Sequence, residues 1–216
     1  MPELLKKALL LSIITIVYNI IEGTVSIYFG MSDETLTLFG FGVDSFVEVI
    51  SGIGIFHMVM RMRGADISRR DNFERTALRV TGTAFYLLTA GLVIGSVLNI
   101  INQVKPETTV PGIIISSISI ATMYFLMSYK LKVGKEMNSD AIIADAMCTK
   151  TCLYLSIILL SSSVLYELFG IAYFDILGSL GIAYFAFTEG RESFELAKSG
   201  ELKCMCESHN EKLETN

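Results

Sequence analysis

The chain has 216 residues, 52% of them hydrophobic, no tryptophan, a mean hydropathy of +0.55 and a net charge of −5. This is too apolar for an ordinary soluble domain and points to an integral membrane protein. The negative balance, with no basic stretch interleaved with aromatics, excludes a nucleic-acid-binding module.

A helix needs about 20 apolar residues to cross a hydrocarbon core of ~30 Å. Six apolar segments are read as membrane spans: Ala8 to Tyr28, Thr35 to Met60, Ala77 to Ile101, Gly112 to Tyr129, Asp140 to Leu168, and Phe174 to Thr188. An open strand would leave its backbone unsatisfied in lipid, so all six are predicted helices. The fold class is therefore an all-α membrane protein with six transmembrane helices: one transmembrane domain over 1–188 and a short tail over 189–216. Lys6 and Lys7, the arginines from Arg61 to Arg79, Lys130, Lys132, Lys135, Arg191 and Lys198 fall on one side, against Lys105 on the other. By the rule that basic loops stay inside, both termini are expected in the cytoplasm, with the plasma membrane as the host bilayer. The first segment is too long, and lacks a small-residue cleavage site, to be a removed signal peptide.

The first helix carries Thr15, Asn19, Glu22 and Ser26 on one stripe, at i, i+4, i+7 and i+11. That stripe is predicted to face the bundle interior, with Glu22 its costly member. In the second helix Asp44 and Glu48 lie one turn apart on one face, continuing to Ser51. Each carboxylate costs about 2.5–3.5 kcal/mol at a helix centre, so a pair is retained mainly where a cation or a cavity uses it. Two such groups repel when both are ionised, which couples metal binding to proton release. His57, near the cytoplasmic end of that helix, reads as an interfacial polar residue or a first ligand at the mouth. Gly91 and Gly95 in the third helix, and Gly178 and Gly181 in the sixth, read as close-packing positions.

The fifth helix repeats the pattern with thiols. Asp145, Cys148 and Cys152 fall at i, i+3 and i+7, again on one face. An i,i+4 pair holds its Cβ atoms about 5–6 Å apart, wider than the ~3.8 Å of a relaxed disulfide, so Cys148 and Cys152 are better placed to share a metal than to bond each other. All four cysteines lie in the membrane or on the reducing side, which argues against a disulfide framework. Carboxylate and thiolate donors together prefer Zn²⁺ or Cd²⁺ to Mg²⁺ or Ca²⁺. Lys150 sits roughly 200° around the helix from Cys148 and is expected to point away from the stripe. An ion pair from Lys150 to Asp44 or Glu48 would instead mark a static network. In the tail, Cys204, Cys206 and His209 form a short soft cluster suited to metal capture. No redox spacing or cofactor motif accompanies the thiols, so an enzyme is not expected.

These residues resemble the transmembrane domain of the cation diffusion facilitators, six-helix metal/proton antiporters with both termini in the cytoplasm. Val43 to Ser51 is similar to the second-helix Asp-or-His-X3-Asp segment of that family, with Glu48 in the last ligand place. Ala144 to Cys152 is similar to the fifth-helix Ala-Asp-Ala-X-His-X3-Asp segment, with cysteine at both ligand positions. Glu74, Arg75, Ala77, Leu78 and Arg79, and the pair Phe174 and Asp175, fit the pattern too. The resemblance implies a divergent branch lacking the C-terminal cytoplasmic domain of the family. It implies export of a divalent transition metal, Zn²⁺ above all, in exchange for protons. Asp44, Glu48, Cys148 and Cys152 would ligate the metal, and Asn19, Glu22 and Asp145 would support the ligands or carry protons. The partners would be metal ions, protons, the lipid bilayer and a second copy in a homodimer, with no obligatory cofactor. The competing expectation is a non-transporting membrane sensor or partner subunit.

Overall fold

Each apolar segment lies on one helix, and four of the six helices run well beyond their segment. A computed structural model of the chain describes residues 2–33, 35–61 and 72–199, and these form α1 (Pro2–Ser32), α2 (Leu36–Arg61), α3 (Asn72–Asn102), α4 (Val110–Met137), α5 (Asp140–Phe169) and α6 (Tyr173–Ser199). The fourth helix runs two turns past Tyr129, and the sixth passes unbroken through the predicted boundary at 188/189. Hydropathy marks where a helix meets lipid, whereas the backbone hydrogen bonds continue until a breaker intervenes. Asn138 and Gly170, both left-handed, are the breakers after α4 and α5.

Five helices, α1 to α5, are long and apolar enough to cross a membrane. In α6 the apolar run is confined between Asp175 and Glu189, but its outward residues Leu177, Leu180, Tyr184 and Phe187 are exposed and apolar like Ile21, Leu87, Val97 and Phe125 elsewhere. So large an outward-facing apolar surface belongs against lipid and not water, making this a multi-pass integral membrane protein.

The helices pair as α1 with α2, α3 with α6 and α4 with α5, and α2 touches α1, α3, α5 and α6. Leu38, Phe41 and Val47 of α2 pack with Phe85, Leu88 and Leu92 of α3, Leu155 and Leu159 of α5 and Ile182 of α6. Ala8, Leu9, Met58, Val133 and Ile142 form a second cluster where α1 starts, α2 and α4 end and α5 starts. Leu196 packs on Leu78 and Cys148 at that same end, so the start of α1 and the end of α6 share one face of the bundle.

The opposite end is closed by carboxylates acting across helices. Asp175 of α6 accepts from the backbone N–H groups of Leu36 (3.0 Å) and Thr37 (3.1 Å), the first residues of α2. Glu167 of α5 accepts from the Thr109 N–H (2.6 Å) at the start of α4. Each satisfies donors that a helix start leaves without partners and sits at the positive end of a helix dipole. Asp175→Ala should therefore lower stability by about 1–2 kcal/mol; an unchanged unfolding midpoint in detergent would show that the cap is dispensable.

The expected packing role of Gly91 is corrected by its surroundings. A Cβ there would meet nothing within 4 Å, whereas Gly95 abuts Leu36. Gly178 does pack closely, against Ser162 and Thr37, and a close backbone approach joins α1 to α2, where Gly23 faces the carbonyl of Gly42.

Candidate metal site

Near the middle of α2, Asp44, Glu48 and Ser51 face a partly open cavity of about 70 Å³ lined by residues of α1 to α6. One water needs roughly 10–15 Å³ on this measure, so the space admits an ion with part of its hydration shell. Asn19 of α1, Cys148 and Cys152 of α5 and Glu189 of α6 also line it.

Glu48 is the hub. Its Oε2 accepts from Asn19 Nδ2 at 2.8 Å and its Oε1 accepts from the Cys152 thiol at 2.5 Å. The polar stripe of α1 thus meets the acidic face of α2, and the second thiol of α5 meets Glu48. Asp44 is 2% exposed, and its Oδ1 accepts no hydrogen bond among the described residues. The Asn19 Oδ1 and the Thr81 hydroxyl are also buried without a hydrogen-bond partner, and both residues line the cavity. Buried polar atoms rarely go unpaired, and an unpaired carboxylate oxygen in a polar cavity is what a cation would satisfy.

Cys148 also borders the cavity. It packs against Leu196 of α6, as Leu78 of α3 does. Among the described residues no three His, Cys, Asp or Glu side chains are drawn together closely enough to hold a metal as they stand.

The remaining sequence candidates are distributed around this centre. Glu22 lies outside the cavity in a nest of hydroxyls, accepting from Tyr18 (2.8 Å) and Ser45 (3.2 Å). Asp145 pairs with Lys130 Nζ at 3.0 Å. Lys150 sits 5.6 Å from the ring centroid of Tyr154 and does not line the cavity, so the ion pair that would mark a static network is not formed by this lysine. His57 packs on Phe73 and lies 3.6 Å from Glu74, which also pairs with Arg61 at 3.3 Å. That cluster ties α2 to α3 at the terminus end of the bundle, away from the cavity. Cys204, Cys206 and His209 lie outside the described residues.

Three charged residues on the cavity wall, Lys130, Glu189 and Glu192, escape sequence reasoning. Lys130 is corrected from a loop cation to a residue 2% exposed inside α4. The signal was present: Ser116, Ser119, Met123, Leu126, Lys130 and Val133 recur at three- and four-residue steps and are all buried. Glu189, half-buried, falls in register with the buried Ile182, Ala186 and Ser193 of α6, but it lies one residue past the apolar run.

Residues 8–199 match the family model described as the cation efflux transmembrane domain. The chain is also similar to an uncharacterized transporter of Methanocaldococcus jannaschii, 27% identical over 175 residues, which covers 79% of this chain and 62% of that protein. The chain therefore spans less than two thirds of the length of that relative.

Proposed function

Because the chain belongs to the cation efflux family, we propose that it carries a divalent transition-metal cation, Zn²⁺ with Cd²⁺ as its mimic, out of the cytoplasm in exchange for protons. The observation that carries this reading is the buried, unpaired Oδ1 of Asp44 beside a cavity shared with Glu48, Asn19 and both α5 cysteines. Asp44, Glu48, Cys148 and Cys152 are the ligands, closing as a tetrahedral set when α5 tightens on α2. Asn19 orients Glu48 through its amide, fixing one carboxylate oxygen while the other faces Cys152.

The thiol–carboxylate contact supplies the coupling. In the resting arrangement the Cys152 thiol donates a hydrogen bond to Glu48. A metal ligates thiolate and carboxylate, not thiol and acid, so its arrival expels protons and reprotonation weakens its hold. Glu22 in its hydroxyl nest and Asp145 lie one or two turns away, as proton-carrying or supporting groups. The metal is cargo and no resident cofactor is required. Rocking of helices about this fixed point then exposes the ion to alternate sides. Both termini face the cytoplasm of the plasma membrane, in line with the basic residues at that end, and the working unit is a homodimer.

The donor set predicts a selectivity. Cys152→Ser replaces a soft donor by a hard one at the same place. Cd²⁺ affinity, measured by titration calorimetry on the detergent-solubilised chain, should fall by about tenfold or more, one ligand being worth at least 1.4 kcal/mol, with Mn²⁺ affinity little changed. An equal loss for both metals, or none, would remove the thiol from the ligand set.

A further inference from the structure

Glu22 is a buried acid, 6% exposed, that does not line the metal cavity. It lies three residues beyond Asn19 on α1, about 4.5 Å of rise, on the side of the cavity away from the chain termini. Tyr18 (2.8 Å) and Ser45 (3.2 Å) each meet one of its oxygens, and Ser119 of α4 is its third hydroxyl partner. Its titratable neighbours, Tyr18 on its own helix and Asp44 and Glu48 on α2, carry no positive charge in either protonation state. Among the described residues it forms no ion pair.

A hydroxyl has one proton to donate, and the hydroxyls of this nest have more acceptors than protons. Ser45 faces the Phe41 carbonyl at 3.1 Å as well as Glu22 Oε2 at 3.2 Å. Ser156 repeats the shortage one layer out, meeting the Cys152 carbonyl and the Ser119 hydroxyl, both at 2.8 Å. With both of these serine protons on carbonyl oxygens, the Ser119 proton goes to Ser156, and Tyr18 alone is left to donate to the carboxyl. A proton on Glu22 Oε2, donated to Ser45, fills the contact with α2 and removes a buried charge that has no cation beside it. A glutamine would supply amide protons to the same hydroxyls, so what the acid adds is an exchangeable proton.

Resting on the proposed metal/proton exchange, we propose that Glu22 is a second proton-binding site of the carrier, apart from the metal ligands: a neutral acid while the cavity is empty, and the source of a proton released when a divalent cation enters. The charge of an ion held about one turn away favours the carboxylate. The O–H bond of Glu22 then breaks, its proton passes to solvent, and Ser45 and Ser119 turn their own protons onto the anion beside that of Tyr18. The same nest thus holds either form, by rotation of hydroxyls alone.

The test uses the full-length chain in detergent, as wild type, Glu22→Gln and Ser45→Ala, each checked for its unfolding midpoint. Infrared spectra should show, in metal-free wild type, a carboxylic-acid carbonyl band that shifts in D₂O, vanishes when Cd²⁺ is added and is missing from Glu22→Gln. Ser45→Ala should shift this band without removing it, which keeps the assignment testable if Glu22→Gln does not fold. In lightly buffered solution Glu22→Gln should bind Cd²⁺ about as tightly as wild type but release about one proton fewer per metal. Proton release equal to that of wild type, or a band that no change at Glu22 or Ser45 moves, would overturn the proton site and leave the metal site standing. Loss of Cd²⁺ binding in a folded Glu22→Gln would also overturn it, by making Glu22 a ligand. Wild-type protein that fails to bind Cd²⁺ would overturn the metal site and the proton site together.

Discussion

Asp44→Asn is expected to abolish metal flux while leaving the protein as stable as wild type or more so. The amide keeps the shape of the carboxyl, so packing around this 2%-exposed residue is preserved. It removes one of two ionisable groups that lie a helical turn apart in a buried site, so the electrostatic effect on folding is neutral or favourable. The same change removes a charged ligand from the cargo site. Losing about 2.7 kcal/mol of metal binding corresponds to a hundredfold drop in affinity, and flux read in proteoliposomes should fall at least that far. A stable but inactive variant is what a site strained for function gives. Retained flux would take Asp44 out of the mechanism, and an unfolded variant would recast its carboxyl as a structural group.

Gly42→Leu should be strongly destabilising. A Cβ at Gly42 would sit 2.8 Å from the backbone nitrogen of Ile27 and 2.8 Å from Ser26 Cβ. On the other side of the contact, a Cβ at Gly23 would sit 2.9 Å from the Gly42 carbonyl oxygen. The obstacle is backbone, which cannot rotate aside, so a leucine must push α1 away from α2. Overpacking of this kind costs about 1–3 kcal/mol, and this case should lie at the upper end. Asn19 and Glu48 are joined across the same two helices at 2.8 Å, so Cd²⁺ binding should be lost along with stability. Gly91→Ala is the control: its Cβ would meet open space, and the unfolding midpoint should not fall. Equal midpoints for the two variants would show that the close α1–α2 approach contributes little.

The six helices were legible because hydropathy reports directly on lipid contact, and the polar stripes because a helix repeats every 3.6 residues. The spacing that put Asn19 on the interior face of α1, and Glu48 and Cys152 on single faces of α2 and α5, is the spacing that lets these three meet. Spacing alone says nothing of depth or of partners between helices. Glu22 shares the stripe with Asn19, yet one turn of rise carries it to Tyr18 and Ser45 and out of the cavity. Lys130 reads as a loop cation when the apolar run ends at Tyr129, because its pairing with Asp145 depends on how α4 packs against α5. Asp175 caps α2 from a helix far along the chain, a relation that only the assembled bundle reveals.

The most direct measurement is wild-type Zn²⁺ transport in proteoliposomes under an imposed proton gradient, with metal and internal pH read together. The account predicts metal moving one way while protons move the other, with flux rising as the gradient steepens. Zn²⁺ flux indifferent to the gradient, or tight Zn²⁺ binding with no flux at all, would contradict it.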